Sequence, residues 1–215
     1  MWLKGVVMKA HYNGLIPRNP FIQFHISPNV KEREYLTEDE LKAVMTHEFA
    51  DSKLAYIRDI FIFASFTALS FVDIQELTND NIVEVNGEKW ILSKRHKTKV
   101  AFQVKLLDIP LQIVERYRPM QKDNRIFPGL NYWSICKPLK RMIRECGITK
   151  SISFHCSRHG FATLALSKGM PIESVSRVLG HTNIVTTQLY AKITTQKLDN
   201  DLTMFGDKLS KTFNR

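Results

Sequence analysis

The sequence is poor in cysteine, in acidic residues and in long apolar runs, and each shortage closes a class of explanation. Its three cysteines, Cys136, Cys146 and Cys156, stand ten residues apart. They form neither a CxxC pair nor an even disulfide set, so a reducing compartment fits and a disulfide-stapled secreted fold does not. The longest stretch without a charged residue or histidine, Ile60 to Val72, has 13 residues. An apolar helix needs roughly 20 to cross a bilayer. The chain does not open with the basic, apolar and small-residue regions of a secretory leader, so the expected location is cytoplasmic and no membrane partner is expected. Internal repeats and low-complexity tracts are absent. Acidic residues number 21 against 31 lysines and arginines, a formal charge of +10 over 215 residues. A surplus of that sign favours an anionic partner, nucleic acid ahead of a membrane surface.

The stretch from His155 to Tyr190 carries the chemistry. His155, Arg158 and His159 lie at i, i+3 and i+4, one face of a helix. Gly169-Met170-Pro171 breaks that helix, and Pro171 suits the first turn of the next. Ile172, Val175, Val178 and Leu179 give the second helix an apolar stripe. Gly180 reads as the residue that ends it, with His181 directly after. Asn183 can cap a third short helix, with Tyr190 about two turns along. Imidazoles and a guanidinium around one point suit an oxyanion with several acceptor oxygens, and a tyrosine beside them can act as nucleophile. Taken singly, His155 or His181 would more often be a hydrogen-bonded core histidine than a functional one, and Tyr190 more often a packing tyrosine. His155 and His159 also have the spacing of a helical zinc pair, but the glutamate that such a motif carries after its first histidine is replaced by Cys156.

The ordered set His155-x-x-Arg158, then Leu179-Gly180-His181, then Tyr190 nine residues later resembles the tyrosine recombinase (phage integrase) family over roughly residues 19 to 195. The resemblance implies a mainly α fold with a small three-stranded antiparallel sheet. It implies DNA strand breakage and rejoining, integration or excision of a mobile element, in the bacterial cytosol or nucleoid. Tyr190 would attack a scissile phosphate to give a 3′-phosphotyrosyl link and a free 5′-hydroxyl. Arg158, His155 and His181 would stabilise the charge on the non-bridging oxygens. His155 is also a candidate to take the tyrosine proton, and His159 is expected behind the catalytic groups, orienting them. The covalent link conserves the bond energy, so no cofactor, ATP or metal is expected. Implied partners are double-stranded DNA, further recombinase protomers assembled as a tetramer, and accessory DNA-bending proteins.

One departure stands out. The segment Thr67 to Leu77 resembles the family's first box, but Ser70 occupies the place of its phosphate-gripping arginine and Ala68 that of a usual glycine. Asp73 matches the acidic residue three positions on. Some mobile-element integrases of this family share the missing arginine. Residues 81 to 107 read as a three-stranded meander with Asn86-Gly87 as a hairpin turn, Trp90, Ile91 and Leu92 in the second strand, and Phe102, Val104 and Leu106 alternating in the third. Between strands two and three runs Lys94-Arg95-His96-Lys97-Thr98-Lys99, by itself a solvated basic turn. The family places a lysine general acid on this hairpin, and Lys97 matches it best; Lys94, His96 and Lys99 would touch DNA beside it. Arg95 lies two residues from Lys97 and would share its face on a regular strand. The expectation is that Arg95 supplies the guanidinium absent at position 70.

Elsewhere, Thr37-Glu38-Asp39-Glu40 is a capping box. Leu54 to Leu69 is an apolar and therefore central helix. Asn19-Pro20-Phe21 should open an extended segment, and a short helix should run from Pro110 to Tyr117. A longer one should end near Cys146 and start near Ile135, because Pro138 is best tolerated in a first turn. Lys137, Lys140, Arg141 and Arg144 form a stripe on that helix, either contacts to DNA phosphates or a solvated face. The expected organisation is a linker or the end of a DNA-clamping domain over 1–18, a catalytic domain over 19–195 and a tail helix over 196–215. The tail's Leu198, Leu202, Phe205 and Leu209 form an apolar stripe that must bury on its own domain or on a neighbour. Two other functions stay in view: a DNA-binding module that has lost its chemistry through Ser70, and a type IB topoisomerase. A plasmid-relaxation assay separates the latter from a recombinase.

Overall fold

The computed structural model describes residues 2–22, 34–97, 99–121, 123–191 and 195–213. The chain divides into two compact units, Met1–Glu32 and Arg33–Arg215. The first holds helix α1 (Trp2–Tyr12), none of whose described residues is buried. It ends at Asn13-Gly14, where Gly14 takes a φ of 70°. Asn19-Pro20-Phe21 makes a turn rather than the start of an extended segment: Asn19 Oδ1 accepts from the Phe21 N–H at 2.9 Å. This is the local side-chain bond that asparagine offers in competition with regular structure. The continuation over residues 23–33 lies outside the described residues.

The second unit is built around α3 (Ser52–Thr67). Leu54, Ile57, Ile60, Phe61, Ile62, Phe63 and Ala64 of this helix are all buried, as a helix apolar nearly all round requires. Packed against it are α2 (Glu38–Thr46), α5 (Asp108–Tyr117), α6 (Tyr132–Glu145) and α7 (Cys156–Ser167). The capping box at α2 forms as expected: Thr37 Oγ1 accepts from the Glu40 N–H and Glu40 Oε2 from the Thr37 N–H. A buried charge sits beside α5 in this core. Asp59 accepts from Arg58 Nε, Arg116 NH1 and the Tyr117 hydroxyl, at 2.9, 2.7 and 2.8 Å, so the buried carboxylate is paired rather than bare.

α3 stops at Ala68, which adopts a left-handed φ of 56°, a conformation that explains the glycine usual there. Ser70 then caps α4 (Phe71–Gln75). The sheet is the expected meander, β1 (Ile82–Val85), β2 (Glu88–Lys94) and β3 (Ala101–Lys105), antiparallel throughout in the order β1-β2-β3. Val83 faces Trp90 across the first pair, and Ser93 faces Phe102 across the second. Asn86 and Gly87 take φ of 53° and 78°, the left-handed pair that a two-residue hairpin turn demands. Leu106 lies just past β3.

Two expectations about helix limits are corrected. α6 starts at Tyr132, three residues before Ile135, with Pro138 inside it. The Asn131 side chain caps the Trp133 N–H at 2.9 Å, and burial of Ile135, Leu139, Met142 and Ile143 holds the helix through the bond that Pro138 cannot donate. After α7, α8 (Ile172–Leu179) ends at Gly180 with φ of 63°, and α9 (Val185–Gln188) is only a single turn. Tyr190 therefore stands beyond α9, not two turns along it. The tail forms α10 (Thr195–Phe213), on which Leu198, Leu202, Met204 and Phe205 are more than half exposed. The apolar stripe is thus uncovered in the single chain.

Candidate active site

Helix α7 (Cys156–Ser167) has His155 as its N-cap, which places His155, Arg158 and His159 together at its N-terminal end. The His155 and His159 rings meet edge to face with centroids 4.7 Å apart, and His159 in turn lies 5.1 Å from the Tyr190 ring. Tyr190 packs partly into a small apolar cluster made by Ala68, Ala162, Leu166, Val175 and Leu179. That cluster joins the end of α3 to α7 and α8. It holds the tyrosine beside the histidines although no helix carries it.

Arg158 is fixed by main-chain carbonyls from two other elements. Its NH1 donates to Ala68 O at 2.7 Å, and its NH2 donates to Leu179 O. Both acceptors sit next to left-handed residues: Ala68 itself and Gly180. The endings of α3 and α8 therefore turn free carbonyls toward the guanidinium. Burial, followed by the nearby charge of Arg95, pushes Arg158 down to about 10, with Asp73 and Tyr190 acting the other way.

His181 leaves α8 just after Gly180. Its Nδ1 lies 2.9 Å from Oγ1 of Thr187, a fully buried residue of α9. Burial lowers His181 to about 4, helped by the charges of Arg158, Arg95 and His155. The ring is therefore neutral near pH 7, with one nitrogen engaged by Thr187 and the other available.

The hairpin brings in Arg95, which is only 5% exposed. Its NH1 donates to Asp73 Oδ2 at 2.7 Å, its NH2 donates to Val178 O, and its guanidinium lies 3.9 Å from the centroid of Phe102. Its Nε–H is buried with no acceptor among the described residues. Asp73 also accepts from the Ser70 hydroxyl at 2.8 Å and, through Oδ1, from the His96 backbone N–H at 3.0 Å. Burial alone would raise the Asp73 carboxyl, but the His96 N–H, Arg95 and Ser70 together hold it below the usual carboxylate range. Arg95 thus reaches the same neighbourhood as Arg158 and His181, held by a carboxylate on α4, the helix that Ser70 caps.

The strand-face argument for Arg95 and Lys97 does not hold. β2 ends at Lys94, the Arg95 carbonyl accepts from the Lys99 N–H at 2.8 Å, and the chain reverses between them. Arg95 points inward, while Lys94, His96, Lys97 and Lys99 are exposed on the turn; Thr98 lies outside the described residues. On α6, Lys137, Lys140, Arg141 and Arg144 are all exposed. Arg141 is partly neutralised by Glu145 at 2.8 Å and Asp51 at 3.3 Å. Among the described residues, no three His, Cys, Asp or Glu side chains gather as metal donors.

Sequence reasoning missed the parts that hold the site: the carbonyls of Ala68, Val178 and Leu179, the Phe102 ring, and Thr187. Only Thr187 carried a local signal, a hydroxyl six residues after His181 on the following helical turn.

The family model of the phage integrase family matches residues 34–197, and the chain belongs to that family, the tyrosine recombinases. Among its relatives are tyrosine recombinase XerA of Pyrococcus horikoshii, 32% identical over 177 residues (76% of this chain, 58% of that protein), and tyrosine recombinase XerC of Lactobacillus leichmannii, 26% identical over 211 residues (91% and 71%). The chain thus spans less than two thirds of XerA. Solved structures share its fold. The Tn1549 transposon integrase in complex with a circular intermediate DNA matches with a TM-score of 0.79 at 18% identity, covering 94% of this chain and 76% of that one. The XerH site-specific recombinase bound to palindromic difH substrate matches with a TM-score of 0.65 at 21% identity, covering 85% and 56%.

Proposed function

We propose that this chain is the catalytic part of a site-specific DNA recombinase that cleaves and rejoins DNA through a 3′-phosphotyrosyl intermediate. The observation that carries this reading is that Arg158 lies near the charge of Arg95 and near Tyr190, that His181 lies near Arg158, Arg95 and His155, and that the His159 ring bridges His155 and Tyr190. Tyr190 gives its hydroxyl proton to His155 in this reading, its oxygen attacks the scissile phosphorus, and the bond to the 5′-oxygen breaks. Lys97, on the hairpin turn, gives its proton to that leaving oxygen, and a 5′-hydroxyl later attacks the phosphotyrosine to reverse the step. Arg158 and Arg95 meet the charge that grows on the non-bridging oxygens. A neutral His181 whose Nδ1 accepts from the Thr187 hydroxyl carries its single proton on Nε2, ready to donate to the same oxygens. His159 orients His155 and Tyr190 through ring contact.

Ser70 favours the reading of a binding module with impaired chemistry, but the Arg95–Asp73 pair supplies a guanidinium where that reading requires none. In this proposal residues 19–195 form the catalytic domain and 1–18 the end of a DNA-clamping region. Residues 196–215 form a tail that docks on a neighbouring protomer. The partners are double-stranded DNA, further protomers up to a tetramer, and accessory DNA-bending proteins. The setting is mobile-element integration or excision in the cytoplasm. A suicide substrate nicked near the cut site tests the chemistry. Wild-type protein should become covalently linked to DNA in the presence of EDTA, and Tyr190→Phe should not, while binding DNA within a few fold. An undiminished adduct with Tyr190→Phe would overturn the reading.

A further inference from the structure

Arg95 and Lys97 have places in the proposed chemistry, but His96 between them, expected to touch DNA, takes no part in the reaction, and neither does Glu76. The two meet: His96 Nε2 lies 3.2 Å from Glu76 Oε1. The contact completes a pattern. Ser70, Asp73 and Glu76, spaced three apart, are the N-cap, an interior residue and the C-cap of α4, and so line one side of it. Asp73 holds Arg95 through Oδ2 and the His96 backbone N–H through Oδ1. Glu76 holds the His96 ring. One side of α4 thus grips two successive residues of the hairpin turn, and the residue that follows them is Lys97.

Lys97 is exposed, and its ammonium sits on a flexible four-carbon stem. The turn closes beyond it through the Lys99 N–H to Arg95 O bond, with Lys99 in a left-handed φ of 56°. The direction in which the Lys97 side chain leaves the turn is therefore set by how the preceding residue is held. The backbone of His96 is anchored by Asp73, but rotation of the turn about that anchor is restrained by the ring contact with Glu76.

We propose that Glu76 is a positioning residue for Lys97: by holding the His96 ring at the end of α4, it aims the lysine ammonium at the departing 5′-oxygen. The proposal rests on the reading of Lys97 as general acid given above. Both partners are about half exposed, and so open a pair adds little to stability. Its removal leaves the fold in place, and its effect is on geometry.

The experiment compares two suicide substrates, one ordinary and one with sulfur at the bridging 5′ position, whose leaving group needs no proton. Glu76→Gln and His96→Ala should each slow single-turnover cleavage of ordinary DNA roughly 10-fold, a part of the 10²–10⁴ that a general acid supplies. On the sulfur substrate both, at saturating protein, should cleave nearly as fast as wild type, with melting temperature unchanged and, for Glu76→Gln, DNA affinity unchanged. The exchanged pair Glu76→Lys with His96→Glu should recover part of the loss on ordinary DNA. Equal defects on both substrates, or none on ordinary DNA, would overturn the proposal. Lys97→Ala separates the two levels. If sulfur does not rescue it, the general-acid reading falls and takes this one with it; if sulfur rescues Lys97→Ala but not Glu76→Gln, only the role of Glu76 falls.

Discussion

A Cβ on Gly180 would stand 3.0 Å from Nε of Arg95 and 3.1 Å from its Cγ. The glycine that ends α8 therefore does two jobs. It takes the left-handed φ of 63°, and it leaves the space through which the Arg95 side chain reaches Asp73. Gly180→Ala is expected to destabilise the protein by about 1–2 kcal/mol through the backbone conformation alone. It should lower cleavage further by displacing Arg95. In an Arg95→Ala background the additional loss of cleavage should disappear while the stability cost remains. Suicide-substrate rates and thermal melts of the four proteins check this, and an unchanged activity penalty in the double variant would refute it.

Arg95→Ala is expected to reduce cleavage by about 10²–10³, the scale of one lost oxyanion donor. Ser70→Arg in that background should recover part of the loss, because Asp73 already accepts from position 70 at 2.8 Å. An effect of a few fold for Arg95→Ala would show that Arg95 is a structural residue only.

His181 gives a pH signature. Its pKa falls from 6.5 to about 4 on folding, so between those values the unfolded chain binds the extra proton and the native one does not. Its contribution to stability is complete above pH 6.5 and is lost as pH falls toward 4. Melting temperature measured across that window should decline more steeply for wild type than for His181→Gln. Parallel slopes would contradict a neutral, partly buried ring.

DNA affinity should fall with salt at a slope near roughly −0.9 per phosphate neutralised. Replacing Lys137, Lys140 or Arg144 by alanine should each reduce the slope by about one unit if the α6 stripe lies on the backbone. Arg141→Ala should change it less, because that guanidinium is shared with Glu145 and Asp51. A slope that none of these substitutions alters would make the stripe a solvated face.

The α10 stripe is expected to work between protomers. A chain lacking residues 196–215 should cleave a two-site substrate better when mixed with full-length Tyr190→Phe than when alone, since the second chain lends its tail but not its nucleophile. Independent behaviour of the two chains would place the tail on its own domain.

The sequence made legible whatever depends on local pattern. Thr37 with Glu40, Asn86 with Gly87, and Gly180 after an apolar stripe all form the turns and caps their chemistry dictates. The spacing of His155, Arg158, His181 and Tyr190 sufficed to pick out side chains that the fold brings together. Legibility ended where a distant partner decides the outcome. Lys94 to Lys99 reads as solvated, yet Arg95 is buried because Asp73, 22 residues earlier, and Phe102 on the facing strand receive it. Pro138 argued for a late start to α6, but the Asn131 cap and a four-residue apolar stripe outweighed one missing bond. Tyr190 was expected on a helix, whereas its position is held by side-chain packing against α7 and α8.

The placement of Arg95 has a consequence for how the proposed reaction fails. With an arginine at position 70, charge stabilisation would reside on α4 and proton donation on the hairpin, and loss of either would leave a slow but measurable reaction. Here both proposed groups ride on one loop, two residues apart. If the hairpin swings away from α4, the penalties multiply: about 10²–10³ for the donor and about 10²–10⁴ for the acid. The loop then behaves as a safety catch, and a half-assembled site is silent rather than leaky.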